Sequence, residues 1–155
     1  MIILLQAIVT YAQVDHKKAF QTALKRGEIG KEISISEKGK NHDSLVLVYL
    51  GEIETKKHRH LKVLTSRWYW GLAPRATSRI IIFNRKDQYL GDFYLTMTCD
   101  VPDRIEGAFL VFTSKKECDD TPGLVTKISF RNGIPKTFLL DFGEGGNIYS
   151  FAQNL

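Results

Sequence analysis

The sequence predicts an α+β fold, in which an N-terminal amphipathic helix packs on a mainly antiparallel, curved or partly barrel-like sheet of about eight strands. One stretch near the start has helical periodicity, and the rest of the chain is a series of short apolar or alternating stretches. The links between these stretches are short. Because short links cannot make the crossovers that parallel strands need, we expect neighbouring strands to pair antiparallel.

The helix is predicted at residues 16–26, in the segment HKKAFQTALKR. Asp15 is a suitable N-cap residue and Gly27 is a suitable stop. The apolar side chains fall on one face, at i and i+4 spacing: Ala19, Phe20, Ala23 and Leu24. This face must be buried, and we expect the sheet to cover it.

Strands are predicted along the remaining chain at residues 33–36, 45–50, 61–70, 79–84, 89–97, 108–113, 124–131, 134–142 and 147–152. The clearest hairpin joins residues 79–84 to residues 89–97, where odd-numbered positions face one way and even-numbered positions the other. Gly91 within this alternation suggests a bulge or the close approach of another backbone.

Asn132-Gly133 is the strongest hairpin signal in the chain, and it predicts that residues 124–131 pair with residues 134–142. Pro135 has no amide hydrogen for a ladder. The second strand is therefore expected to be an edge strand or to begin after Pro135.

The first thirteen residues carry no charge, and residues 2–9 are apolar except for Gln6. With small residues at Thr10 and Ala12, this pattern favours an export signal at residues 1–12, followed by a single β-rich domain at residues 13–155. The basic start of such signals is missing, and a buried N-terminal strand is the alternative interpretation. The run is shorter than the roughly 20 residues that span a bilayer, and no transmembrane segment is predicted.

The two cysteines, Cys99 and Cys118, leave a disulfide open. An even count in an oxidising compartment favours a bond. However, if residues 89–97 paired in a hairpin with residues 108–113, the cysteines would lie beyond opposite ends of it, too far apart to bond.

The chain has 22 basic and 17 acidic residues, for a net charge of +5. Such an excess attracts polyanions, including nucleic acid and anionic glycans. The densest basic stretch is a candidate polyanion patch formed by Lys56, Lys57, His58, Arg59, His60 and Lys62.

A second candidate binding segment combines aromatic and arginine side chains: Arg67, Trp68, Tyr69, Trp70, Arg75 and Arg79. Exposed aromatic rings can stack on sugars or bases, and arginine can pair with phosphate or carboxylate. Strand alternation places the two tryptophans on one face. If that face is buried, the tryptophans are core residues.

No catalytic or cofactor motif is recognisable, and we predict no cofactor. His58 and His60 could share a metal ion with a third ligand such as His42 or Glu54, but we favour the interpretation that the pair belongs to a solvated basic segment at a strand edge. The leading hypothesis is therefore a non-catalytic exported domain, periplasmic or secreted, that binds a small ligand or partner at the bacterial cell envelope. The alternatives are a polyanion-binding protein and a metal-dependent hydrolase.

Overall fold

The computed structural model of this protein describes residues 16–36, 43–71, 75–118, 122–143 and 145–153. In these residues it contains one helix, α1 (His16–Arg26), and ten strands. The first five strands are β1 (Glu32–Ser36), β2 (Ser44–Glu54), β3 (His60–Trp70), β4 (Arg75–Asn84) and β5 (Tyr89–Leu95). The other five are β6 (Arg104–Glu106), β7 (Phe109–Thr113), β8 (Val125–Ser129), β9 (Thr137–Asp141) and β10 (Gly146–Ala152).

The strands form two antiparallel sheets. Seven strands lie in the order β1-β2-β3-β4-β5-β10-β9, and three form a second sheet in the order β6-β7-β8. The prediction of a mainly antiparallel, sheet-rich fold is confirmed. The described residues contain ten strands and a single 11-residue helix, so they do not show the balance of helix and sheet that the predicted α+β class implies. Within the described residues β1 and β9 end the larger sheet without pairing to each other. The sheet is therefore open, and the barrel-like arrangement is corrected: β6 to β8 form a separate layer.

Helix α1 packs on one face of the seven-stranded sheet, as predicted. It buries Ala19, Ala23 and Leu24 against side chains from β1 to β4: Ile33, Leu45, Leu47, Tyr49, Leu64, Ile81 and Phe83. The helix ends at Gly27, whose φ is 61° and whose amide donates to the Ala23 carbonyl at 3.2 Å. The predicted cap, Asp15, lies outside the described residues.

The opposite face of the seven-stranded sheet packs against the three-stranded sheet. The side chains in this larger core come from both sheets and from the segments between them, and its fully buried members include Ile53, Val63, Ile80, Ile82, Phe93, Leu110, Phe112 and Phe130. Burial of apolar surface on this scale is the main favourable contribution to folding. The molecule thus has three layers: helix, seven-stranded sheet and three-stranded sheet.

The hairpin of β4 and β5 forms as predicted and contains a bulge. The register changes from Ile82 opposite Gly91 to Phe83 opposite Tyr89, which leaves one extra residue in β5. An extra residue turns the side chains beyond it to the other face. Tyr89 therefore packs with the core under α1, and the strict alternation expected for residues 89–97 fails at this point.

Gly91 also allows two backbones to approach closely. A Cβ atom at this position would collide with the carbonyl oxygen of Ala152 in β10. The β5–β10 ladder is short, with Phe93 opposite Phe151 and Asp92 opposite Ala152. Glycine is thus required where β10 joins the sheet, and both features suggested for Gly91 are present.

Asn132-Gly133 does not connect a β-hairpin. Strand β8 pairs with β7 and β9 pairs with β10, so the predicted pairing of residues 124–131 with 134–142 is wrong. The Gly133 amide donates to the Phe130 carbonyl at 2.9 Å, which places Asn132 and Gly133 third and fourth in the turn. A type I′ hairpin needs them at the two central positions. Strand β9 begins after Pro135 and lies at the sheet edge, as predicted.

Cys99 and Cys118 form a disulfide, with their Cα atoms 6.4 Å apart. The expected hairpin between residues 89–97 and 108–113 is wrong, because β5 and β7 belong to different sheets. The argument against the bond depended on that hairpin. The disulfide instead links the segment after β5 to the segment after β7.

The predicted export signal at residues 1–12 and its alternative, an N-terminal strand, lie outside the described residues. Among the described residues, no helix has the length and apolar character needed to cross a membrane.

Candidate functional site

Two hairpin turns with the same backbone geometry lie at one end of the seven-stranded sheet. In the β2–β3 turn the His58 amide donates to the Thr55 carbonyl at 2.9 Å, and in the β4–β5 turn the Asp87 amide donates to the Asn84 carbonyl at 3.0 Å. His58 and Asp87 both have positive φ, at 53° and 60°. Each connection is therefore a type I turn followed by a left-handed residue, a common three-residue hairpin loop.

Both turns carry two basic residues at their central positions. These are Lys56 and Lys57 in the first turn and Arg85 and Lys86 in the second, and all four are exposed. In an antiparallel meander alternate turns lie at the same end of the sheet, and hairpins two strands apart are separated by about 10 Å. The fold thus gathers four cations from two distant parts of the sequence.

Residues 131–136 form a third wall beside these turns. The Lys56 amide donates to the Arg131 carbonyl at 2.8 Å, and the Phe151 amide donates to the Lys136 carbonyl at 2.9 Å. These bonds tie the first turn and the end of β10 to the same segment. Between the three walls lies a basic cleft of about 900 Å³.

The lining of the basic cleft combines positive charge with apolar and amide groups, and none of its described residues is acidic. Its permanently charged members are Arg59, Arg85, Lys86 and Lys136. His58 and His60 also line it, and the apolar part consists of Leu61, Leu90, Ile134 and Phe151. Such a surface can hold negative groups at its basic positions while the body of a ligand contacts the apolar floor.

The four cations that line the cleft form no ion pair with any described residue: Arg59, Arg85, Lys86 and Lys136. Three carboxylates close to the cleft have other partners: Glu54 lies 2.6 Å from His58 Nδ1, Glu52 lies 3.4 Å from His60 Nδ1, and Asp87 pairs with Lys62. The hydrogen bond from His58 lowers the pKa of Glu54 below its usual value, which keeps that carboxylate ionised. The positive charge of the cleft is therefore not neutralised from within its lining.

The fold divides the predicted polyanion patch. Three of its members line the cleft: His58, Arg59 and His60. Lys56 and Lys57 occupy the first turn, beside the cleft. Lys62 lies directly opposite Phe83 on the helix side of the sheet, where its ammonium contacts Asp87 at 2.7 Å. Because it faces away from the cleft and is paired, Lys62 does not contribute to this site.

Three cleft cations were missed in the sequence: Arg85, Lys86 and Lys136. A signal was available for the first two, because residues 85–88 were recognised as a hairpin loop and a meander places alternate loops together. Lys136 carried no such signal, because its position depends on the return of the chain from one sheet to the other.

The candidate aromatic segment is split between the two faces of β3. The rings of Trp68 and Trp70 lie 5.7 Å apart on the helix side, both half-buried. Trp68 contacts the His16 ring at 5.0 Å, and the guanidinium of Arg75 lies 5.3 Å from the Trp70 ring. The tryptophans therefore pack largely against the protein.

The side chains that alternate with the tryptophans point to the other face of β3. Arg67 and Tyr69 are half-buried there. The Arg67 guanidinium forms an ion pair with Glu32 of β1 at 3.2 Å. The six residues of the candidate aromatic segment are thus not brought together in one site.

Trp68 and Arg79 line a second groove, of about 830 Å³, between α1 and the sheet. Arg79 Nη1 donates to Asp92 Oδ1 at 2.8 Å, and the Tyr89 hydroxyl donates to Asp92 Oδ2 at 2.6 Å. Burial and this hydrogen bond raise the pKa of Tyr89. Arg79 is therefore already engaged with Asp92, and the groove offers less free charge than the basic cleft.

His58 and His60 do not form a shared metal site with Glu54, because each imidazole contacts a different glutamate. Within the described ranges, no group of three or more His, Cys, Asp or Glu side chains could hold a metal ion. His42 lies outside those ranges.

No protein-family model, curated protein or solved structure matches this chain. A function must therefore be argued from the chemistry of its sites. Of the two cavities described above, the basic cleft has the more specific chemistry, because its cations are unpaired within the described chain.

Proposed function

We propose that this protein is an exported, non-catalytic binding domain of the bacterial cell envelope, and that its ligand is an anion held in the basic cleft. One observation carries the proposal: four cations from three separate parts of the chain converge on a lining without a described carboxylate. Like charges held together repel one another and destabilise the free protein. A negatively charged ligand relieves that repulsion.

The ligand must carry several negative charges. A single exposed ion pair contributes at most about 1 kcal/mol, because water and salt screen it. Useful affinity therefore requires several contacts at once, including charge-assisted hydrogen bonds from Arg59 and Arg85. The half-buried apolar side chains of the lining, Leu90, Ile134 and Phe151, add contact area that does not depend on salt.

Removing the two cations of the second turn is expected to weaken binding of a polyanion at least tenfold. In the variant Arg85→Ser/Lys86→Ser, both basic side chains are removed from the cleft, and the backbone amides at positions 86 and 88 can still donate to Asn84 Oδ1. The measurement is the dissociation constant for a fluorescent heparin oligosaccharide and for single-stranded DNA, each at about 50 and 200 mM salt. Affinity of the unmodified protein should fall steeply between these two salt concentrations.

The matched control is Lys25→Ser/Arg26→Ser, which removes the same net charge from the exposed C-terminal end of α1. Its affinity should stay within about twofold of the unmodified protein, because these residues do not line the cleft. Equal losses in the two variants would show that net charge alone attracts the polyanion. Binding that does not change with salt would contradict the proposal directly.

Export is proposed from two features. The apolar, uncharged segment at residues 1–12 has the pattern of a signal peptide. The Cys99–Cys118 disulfide supports the same compartment, because such bonds persist in oxidising environments and are rare in the cytosol.

Mass spectrometry of the protein recovered from its native cells tests the compartment. We expect a mature N-terminus at Gln13, because cleavage after Ala12 satisfies the small-residue rule for signal peptides. A chain that retains Met1 would contradict export and restore the interpretation of residues 2–9 as a strand.

A further inference from the structure

We infer that the ligand of the basic cleft is an acidic glycan, a chain of sugar units that carry sulfate or carboxylate groups. This inference rests on the proposed function and specifies its ligand class. It follows from the groups that accompany the cations: amide side chains are frequent in the lining, and aromatic rings suitable for stacking are scarce.

The lining contains four amide side chains: Asn84, Gln88, Asn132 and Gln153. Asn84 and Gln88 are hydrogen-bonded to each other at 2.7 Å within the second turn. Asn132 and Gln153 are exposed and have no side-chain hydrogen bond to a described residue. An amide offers both a donor and an acceptor, which matches the paired donor and acceptor character of a sugar hydroxyl.

Nucleic acid requires different chemistry. Proteins that bind single strands combine a basic groove with aromatic side chains on which successive bases stack. Phe151 is the only Phe, Tyr or Trp side chain in the described lining, and it is half-buried, with its ring 5.1 Å from that of Phe93. Trp68 and Trp70 lie on the helix side of the seven-stranded sheet, and neither lines the cleft. The cleft therefore offers charge without a row of stacking surfaces.

A membrane surface is also a poor match. Peripheral membrane binding usually adds exposed apolar side chains to a basic patch. The tips of the two turns carry Lys56, Lys57, Arg85 and Lys86, and the apolar side chains of the cleft form its floor. The large apolar side chains that are most exposed lie elsewhere, including Ile29, Leu139 and Ile148.

The test compares three probes at one salt concentration: a heparin hexasaccharide, a single-stranded oligothymidine of the same net charge, and vesicles containing anionic phospholipid. We expect the hexasaccharide to bind at least tenfold more tightly than the oligothymidine. Equal or tighter binding of the oligothymidine or of the vesicles would overturn the glycan assignment and leave the anion-binding proposal in place. Failure of all three probes to bind would overturn both.

Two variants test the role of the amides. Gln153→Ala removes one hydrogen-bonding group from an exposed position, and Asn132→Asp keeps a residue that suits the turn while it adds negative charge. Gln153→Ala should weaken hexasaccharide binding about fivefold and leave oligothymidine binding unchanged, whereas Asn132→Asp should weaken both. Equal losses for both probes in Gln153→Ala would contradict a hydroxyl-specific role, and the thermal midpoint of each variant shows whether the fold is intact.

Discussion

The variant Phe93→Ala is expected to lose about 3–5 kcal/mol of unfolding free energy, a large part of the 5–15 kcal/mol typical of a domain. Phe93 is fully buried, and its ring lies 4.9 Å from Phe138, 5.1 Å from Phe151 and 6.4 Å from Phe130. These neighbours come from β9, β10 and the segment after β8. Truncation leaves a cavity where the two sheets meet. Urea denaturation, with the change read from the midpoint at constant slope, measures the loss.

The adjacent residue provides the control. Tyr94 points to the other face of β5 and is 47% exposed, and the guanidinium of Arg79 lies 5.2 Å from its ring. Tyr94→Ala should therefore cost about 1 kcal/mol or less. A cost for Phe93→Ala as small as that for Tyr94→Ala would show that the cluster of aromatic rings does not hold the sheets together.

The parts of the fold that could be predicted from the sequence are those determined by residues close to one another along the chain. The helix follows from the spacing of Ala19, Ala23 and Leu24, and the β4–β5 hairpin follows from alternation on both sides of a polar loop. Gly91 predicted a bulge or a close backbone approach, because these circumstances favour glycine inside a strand, and the structure has both. In each case the pattern and its cause lie within a few residues of each other.

The second sheet could not be predicted, because it depends on competition between distant segments. Asn132-Gly133 favours a hairpin locally, yet β8 pairs with β7, and β9 pairs with β10. The short strand β6 has no periodic pattern of its own and forms only as the partner of β7. The pairing of β8 with β7 and of β9 with β10 therefore outweighs the local preference for a turn, and no local sequence pattern predicts these two pairings.

The candidate site shows the same division. Lys56-Lys57 and Arg85-Lys86 could be placed together from the meander alone, because both pairs occupy hairpin turns at one end of the sheet. Lys62 does not belong to the cleft, because its side chain points to the helix side of the sheet and pairs with Asp87, which is distant in the sequence. The partners of Arg67 and Arg79 are likewise acidic residues on other strands: Glu32 lies on β1, two strands from Arg67, and Asp92 lies on β5, next to Arg79.

Removal of the disulfide is expected to lower the unfolding free energy by about 3 kcal/mol. The bond closes a loop between residues 19 positions apart, and a loop of this size restricts the unfolded chain by about that amount. The Asp100 carboxylate next to Cys99 accepts hydrogen bonds from Tyr149 and Asn147 of β10, so the covalent link also joins the second sheet to an anchored part of the first. The double variant Cys99→Ser/Cys118→Ser tests this contribution.

The comparison that isolates the bond uses a reductant. Urea unfolding of the unmodified protein should shift to lower midpoint when dithiothreitol is present, whereas the midpoint of Cys99→Ser/Cys118→Ser should not respond. If dithiothreitol leaves the unmodified midpoint unchanged, the bond does not stabilise the domain, and its support for an oxidising compartment is lost. If the shift occurs, the same domain would lose about 3 kcal/mol in a reducing cytosol. For a protein of ordinary stability that loss raises the unfolded fraction more than a hundredfold, which is a physical reason to fold outside the cytosol.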